Sequence, residues 1–261
     1  MADDLSSQIF IGADERDPLR AVQKDGRAAL PKRFYKSVAV AGRDGAFAIL
    51  LDDKPVRTPA GNAFALPTER AADLVSAEWR AQGEHIDPAA MPVTRLVNSG
   101  LDGVARDPQA VAADIVKYSA SDLVCYRAGE PASLVDAQNT AWNPAIVFAR
   151  ERYGARFALG EGVMFVTQDD EAIHAIARAV AQVAPTPLKL AALHSMTTLT
   201  GSALLALMVA GGALDAEGAW TAAHVDEDHQ MRLWGSDAEA LARRSARFRD
   251  MQAAAALFAA L

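Results

Sequence analysis

From Phe34 the chain alternates: Phe34, Lys36, Val38 and Val40 interleave with Tyr35, Ser37 and Ala39, the period of two expected of a strand with one face buried. A Gly42–Gly45 turn then leads into the apolar run Ala46–Leu51, so the two segments predict a β-hairpin. Turn signals at Asp52-Asp53-Lys54-Pro55 and Pro59-Ala60-Gly61-Asn62 punctuate short extended pieces ending at Phe64-Ala65-Leu66, because Pro presets φ and Gly or Asn accepts a positive φ. After Pro67 the period becomes helical. Thr68 is placed to cap, and Ala71, Val75 and Trp79 share a face with Ala72 and Leu74 beside it, which predicts a helix lying over a small antiparallel sheet.

A looser stretch from Gly83 to Pro92 precedes an apolar segment, Val93–Leu101. Asp107-Pro108 then opens a helix carrying Val111, Ile115 and Tyr118. Pro131–Trp142 and Asn143–Tyr153 predict two consecutive helices, the second closed by Gly154, and Phe157–Thr167 predicts a strand or connector. The C-terminal half is nearly all helical. Asp169–Ala184 places Ile173, Ile176, Ala177 and Val180 on one stripe, and Pro185 and Pro187 separate it from a single helix over Leu188–Ala210. Asp215 opens another over Ala216–Trp234, Gly235 stops it, and Ser236 with Glu239 forms a capping box before a long Ala-rich helix. Residues 1–30 mix charges without a hydrophobic period and predict a flexible tail.

At 261 residues and 51% hydrophobic content the chain can bury one large core or two modest ones, and its Pro and Gly positions favour two. A net charge of −7 disfavours broad attraction to nucleic acid or anionic membranes. Cys125 is the only cysteine, which excludes an internal disulfide and a cysteine-based zinc site. The opening MADDLSSQIF lacks the features of a signal or transit peptide, so a cytoplasmic location is expected. The longest apolar stretch, Ala203–Leu214, contains two glycines and falls short of the roughly 20 residues that cross a bilayer. It predicts a buried helix, and no stable membrane insertion is expected.

Nucleotide-binding signals are missing: no GxxxxGK[ST] occurs, and Gly160-Glu161-Gly162 lacks the third glycine of a dinucleotide loop. No GxSxG or HExxH occurs either, and His194-Ser195 reads as polar residues of a packed helix. The run His224-Val225-Asp226-Glu227-Asp228-His229 is the strongest site-like cluster. Helical spacing puts His224 beside Glu227 and Asp228, a geometry that fits a two- or three-ligand metal site. An acidic patch that meets basic residues of a partner needs no fourth ligand and is the preferred reading. Arg243, Arg244, Arg247 and Arg249 form a basic run that suits phosphate, but Glu239 and Arg243 are spaced for an i,i+4 pair and only Phe248 interleaves, so a solvated or internally paired face is preferred. Trp79, Trp142, Trp220 and Trp234 each fall within or at the end of a helix. Core packing is the first reading for each, interface anchoring the second.

At these residues the sequence resembles the family of assembly chaperones for the alpha subunit of the F-type ATP synthase. The likeness runs from about Lys32 to Ala240 and is carried by Arg33-Phe34-Tyr35-Lys36, Leu51-Asp52-Asp53-Lys54-Pro55-Val56-Arg57-Thr58-Pro59, Glu78-Trp79 and Met91-Pro92-Val93-Thr94-Arg95-Leu96-Val97-Asn98. Ser121-Asp122-Leu123-Val124-Cys125-Tyr126-Arg127, Gln138, Trp142, Tyr153-Gly154, Gly201-Ser202, Asp226-Glu227, Gln230 and Trp234-Gly235 complete an ordered set. Two positions depart from the pattern: Asn143 stands where an aspartate is expected, and His229 where a larger aromatic residue is common.

The resemblance implies an α+β protein, with a small β-rich N-terminal domain (31–92) followed by a mostly α-helical C-terminal domain (93–261). It implies no catalysis, no cofactor and no metal. The implied partner is unassembled alpha subunit, bound by a chain that is monomeric when free and binds no nucleic acid. Glu227 matches the family's sensitive acidic position, and Trp79 its Glu-Trp tryptophan, important for integrity or binding. The expected partner-binding residues are Trp79, Asp226, Glu227, Asp228, Gln230 and Trp234. The alternatives are a metal-dependent enzyme centred on His224–His229 and a nucleic-acid adaptor using the C-terminal arginines.

Overall fold

A computed structural model describes residues 30–43, 45–162 and 164–261, so the expected tail lies almost wholly outside the described residues. The chain divides into two compact units, Met1–Arg106 with Ala260–Leu261, and Asp107–Ala259.

In the first unit β1 (Val38–Arg43) pairs antiparallel with β2 (Ala46–Leu51) in the expected hairpin, with Val40 opposite Ile49. The short β3 (Lys54–Pro55) and β4 (Ala65–Leu66) both add to β2. Asp52 and Asp53 turn the chain between β2 and β3 with φ of 47° and 66°, the pair of left-handed residues that a two-residue hairpin requires. The Asp52 carboxylate repays that strain locally by accepting from the backbone N–H of Lys36 and of Ser37.

Helix α1 (Glu69–Ala81) begins where Thr68 Oγ1 accepts from the N–H of Ala71. Its face of Ala71, Ala72, Val75 and Trp79 is buried with Ile49, Phe64, Leu66, Ile86 and Met91. The segment before β1 is lashed to the end of α1: the Tyr35 hydroxyl donates to the carbonyl of Trp79 at 2.6 Å, and Arg33 lies over the Tyr35 ring while donating to the carbonyl of Gln82.

Helix α2 (Pro92–Ser99) has no side-chain cap of its own, since Met91 occupies the N-cap. Glu78 supplies one from α1: its two carboxylate oxygens accept from the N–H groups of Val93 and Thr94, each at 2.7 Å. That tie joins α2 to α1 within the first unit.

The second unit runs through α3 (Pro108–Ala120), α4 (Ala132–Tyr153), α5 (Asp170–Val183), α6 (Pro187–Thr200), α7 (Ala203–Ala210), α8 (Ala216–Ala223), α9 (Val225–Trp234) and α10 (Ala238–Ala260). Between them β5 (Tyr126–Arg127) and β6 (Gly160–Glu161) form a two-stranded parallel pair. Helix α7 is apolar all round, buries Ala203 to Met208 and touches α3, α4, α6 and α8, as a central helix must.

Several expected helices are divided or joined. The single helix expected over Leu188–Ala210 breaks at Gly201, whose φ is 68°. The N–H of Leu123 donates to the carbonyl of Gly201, Ser202 caps α7, and the buried Asp122 carboxylate accepts from the N–H of Leu204. The helix expected over Ala216–Trp234 breaks at His224, which leaves helical geometry to close α8. Conversely, Ala132–Tyr153 is one helix that continues through Pro144, and the Asn143 side chain, instead of capping, accepts from Arg127. The cap of α10 is Asp237 rather than Ser236, its Oδ2 accepting from the N–H of Ala240 at 2.9 Å. Among the described residues of Phe157–Thr167, strand is confined to Gly160–Glu161.

Candidate functional site

The break at His224 sets the site. Its Nδ1 lies 2.7 Å from the carbonyl of Trp220, which can only accept, so Nδ1 carries the proton. The ring stacks on Trp220 at 3.9 Å, and Trp220 in turn lies against Phe248 of α10. Burial holds the imidazole below its ordinary pKa, against the pull of the Trp220 carbonyl and of Glu227, so the ring is neutral near pH 7.

The three acids of α9 then diverge. Asp226 accepts from Nε2 of the buried Gln138, whose Oε1 accepts from the N–H of Ala128. Asp228 accepts from Nη1 of Arg244 on α10. Glu227 keeps 63% of its side chain exposed, and its partner among the described residues is His224 Nε2, 4.0 Å away. Two acids therefore fasten α9 to α4 and α10, while the third faces solvent.

Glu227, Gln230, Met231 and Trp234 follow at helical spacing and form one wall of a cleft of about 450 Å³. The other wall is Ala240, Arg243, Arg244 and Arg247 of α10, and Gly235 joins the two. Gly235 adopts φ 83° and ψ 178°, a conformation essentially reserved for glycine. Trp234 is 78% exposed and Leu233 61%, whereas Trp79, Trp142 and Trp220 are buried. The core reading therefore holds for three tryptophans and fails for Trp234, which stands on the last turn of a helix whose apolar side runs out into solvent.

Of the residues expected to meet a partner, Glu227, Gln230 and Trp234 lie together on the cleft. Asp226 and Asp228 are partly buried and internally bonded. Trp79 has no exposed surface in the core of the first unit, away from the cleft residues. Arg243, Arg244 and Arg247, expected only as a solvated or internally paired face, line the same cleft. The one-turn spacing of Arg243 and Arg247 was the available signal, but nothing local places them opposite Trp234. The expected Glu239–Arg243 pair is present.

His224 to His229 do not assemble as ligands: His229 Nε2 lies 3.1 Å from Ser133 Oγ, and His224 Nδ1 is committed to Trp220. Among the described residues no three His, Cys, Asp or Glu side chains are grouped to hold a metal ion. Among them, too, no helix is long and apolar enough to cross a membrane.

The structure superposes on the crystal structure of Atp12 from Paracoccus denitrificans with a TM-score of 0.81 and 38% identity, covering 88% of this chain and 97% of that one. The chain belongs to the ATP12 chaperone family. The family model for ATP12 chaperone proteins matches residues 32–150. A candidate chaperone from Agrobacterium tumefaciens superposes with a TM-score of 0.87 and 49% identity, covering 98% of this chain and 96% of that one. The mitochondrial protein atp12 of Schizosaccharomyces pombe is 21% identical over 217 residues, 78% of this chain and 74% of its own length. The α+β architecture and the family drawn from the sequence are thus both established.

Proposed function

We propose that this chain is an assembly chaperone of the F-type ATP synthase that holds the unassembled alpha subunit, using the α9 surface around Glu227, Gln230 and Trp234. The carrying observation is the exposure of Trp234 at 78% beside Leu233 at 61%, in a chain that buries its other tryptophans. A large amphipathic ring is costly to leave in water and is the residue type that most often anchors an interface. In the same cleft, Glu227 offers an exposed carboxylate that, among the described residues, approaches a neutral imidazole at 4.0 Å.

An alpha subunit without its beta neighbour exposes apolar surface, and covering that surface keeps it from aggregating. Release needs no catalysis. A beta subunit that binds the same face more tightly displaces the chaperone by mass action, so the chain works as a cytoplasmic monomer without nucleotide hydrolysis. Co-expression with the alpha subunit, followed by measurement of soluble alpha, tests the reading. The parent raises the soluble fraction and Glu227→Lys does not; equal solubility with and without the chaperone overturns it.

A further inference from the structure

Charge on the cleft lining is unevenly distributed. Three guanidinium groups, Arg243, Arg244 and Arg247, face one carboxylate, Glu227. The acids that pair with Arg243 and Arg244 are Glu239 and Asp228, neither of which lines the cleft. Arg247 bonds the backbone carbonyl of Leu199 at 3.3 Å. The Glu239–Arg243 pair is exposed on both sides, and such a pair contributes little and yields its arginine to a better acceptor cheaply. A locally positive cleft on a chain of net charge −7 also gives an approaching carboxylate a preferred place to land, since most of the molecule repels it.

We propose that this cleft recognises a client segment carrying a carboxylate beside a large apolar side chain, with the carboxylate held by Arg243 and Arg247 and the apolar group laid on Trp234. The inference deepens the chaperone reading and rests on it for the identity of the client. Guanidinium forks suit carboxylates because two parallel N–H groups meet two oxygens. Glu227, on the facing wall, repels a second acid there and fixes which way the segment lies. A polyanion is disfavoured, because three arginines gathered in a cleft of about 450 Å³ form a spot rather than a track along a phosphate backbone.

Trp234 supplies the readout, as the one exposed tryptophan of the four. The full chain is titrated with a synthetic peptide containing a Glu-Leu-Glu-Phe core, with the same peptide carrying Lys in place of Glu, and with a single-stranded oligonucleotide, following tryptophan emission. The acidic peptide shifts the emission saturably, and Trp234→Phe removes the shift. Arg243→Glu with Arg247→Glu weakens that peptide by roughly tenfold or more, while circular dichroism confirms that the fold is kept. Overturning results are an acidic peptide that does not bind, arginine reversals that leave its affinity unchanged, or tighter binding of the Lys peptide or the oligonucleotide. A parallel alpha-subunit retention assay separates the two ideas. Arginine-dependent peptide binding with no retention of alpha removes the client assignment and leaves the site. Retention of alpha that the arginine reversals do not change removes the site and leaves the assignment.

Discussion

Gln138 Nε2 donates to the Asp226 carboxylate at 2.7 Å, joining α4 to the first turn of α9, while Glu227, one residue further on, keeps 63% of its side chain exposed. Adjacent acids thus have opposite duties. Asp226→Ala leaves the buried Gln138 amide without its acceptor and should cost roughly 1–3 kcal/mol, read from the shift of a urea unfolding midpoint. An unchanged midpoint contradicts the structural role.

Glu227→Lys should behave in the reverse manner. Because this side chain is 63% exposed, its stability should stay within about 0.5 kcal/mol of the parent. Retention of alpha subunit in a co-purification should fall sharply. A variant that unfolds, or one that retains alpha fully, argues against the division of roles between these acids.

Trp234 should dominate quenching of intrinsic fluorescence by acrylamide, since the other three tryptophans are buried. Trp234→Phe should leave only slowly quenched emission. Persistence of the accessible component would place one of the other indoles at the surface.

Glu78→Ala should free the first turn of α2. The N–H groups of Val93 and Thr94 lose their acceptors, at a cost of about 1–2 kcal/mol, and their amide hydrogens should exchange faster than those of α1. Glu78→Gln, which keeps one acceptor oxygen, should recover part of the protection.

Two buried groups should impose opposite pH slopes on stability. Burial lowers the His224 pKa, so the folded state binds fewer protons than the unfolded one, and this contribution is present above about 6.5 and lost as the pH falls through the folded value. Burial pushes the Asp122 carboxyl up to about 6 despite its hydrogen bonds to Ser202 and to the N–H groups of Leu204 and Val124, so its contribution is present below about 4 and lost as the pH rises through 6. Urea titrations from pH 4 to 8 on His224→Gln and Asp122→Asn should therefore diverge. Relative to the parent, the first variant gains as the pH falls below 6.5, and the second gains as the pH rises from 4 to 7. Parallel curves for parent and variants refute both assignments.

Local signals in the chain were readable where they act locally. Thr68 and Asp107 cap the helices they precede, since a side chain reaching the next turn depends on few other residues. Gly201 and His224 were hidden as breaks because their causes lie elsewhere: Asp122 and Leu123, distant in sequence, hold the chain open at Gly201, and Trp220 with Phe248 seats His224. Several motifs that carried the family resemblance prove to be structural ties, Arg33 and Tyr35 to the end of α1 and Glu78 to the start of α2 in the first unit, Asp122 to α7 and Gln138 to Asp226 in the second. The site was half legible. The acidic cluster announced itself, but its division into two fasteners and one outward charge depends on Gln138 and Arg244, and the arginine wall exists only once α10 folds back beside α9.

That fold-back turns on Gly235. Any residue with a Cβ would meet strain of about 1–3 kcal/mol at its backbone angles, and the chain would relieve it by swinging one wall away from the other. The spacing between the indole and the guanidinium row is consequently a built-in gauge for the proposed site, set by the backbone at Gly235 rather than by a side chain of either wall.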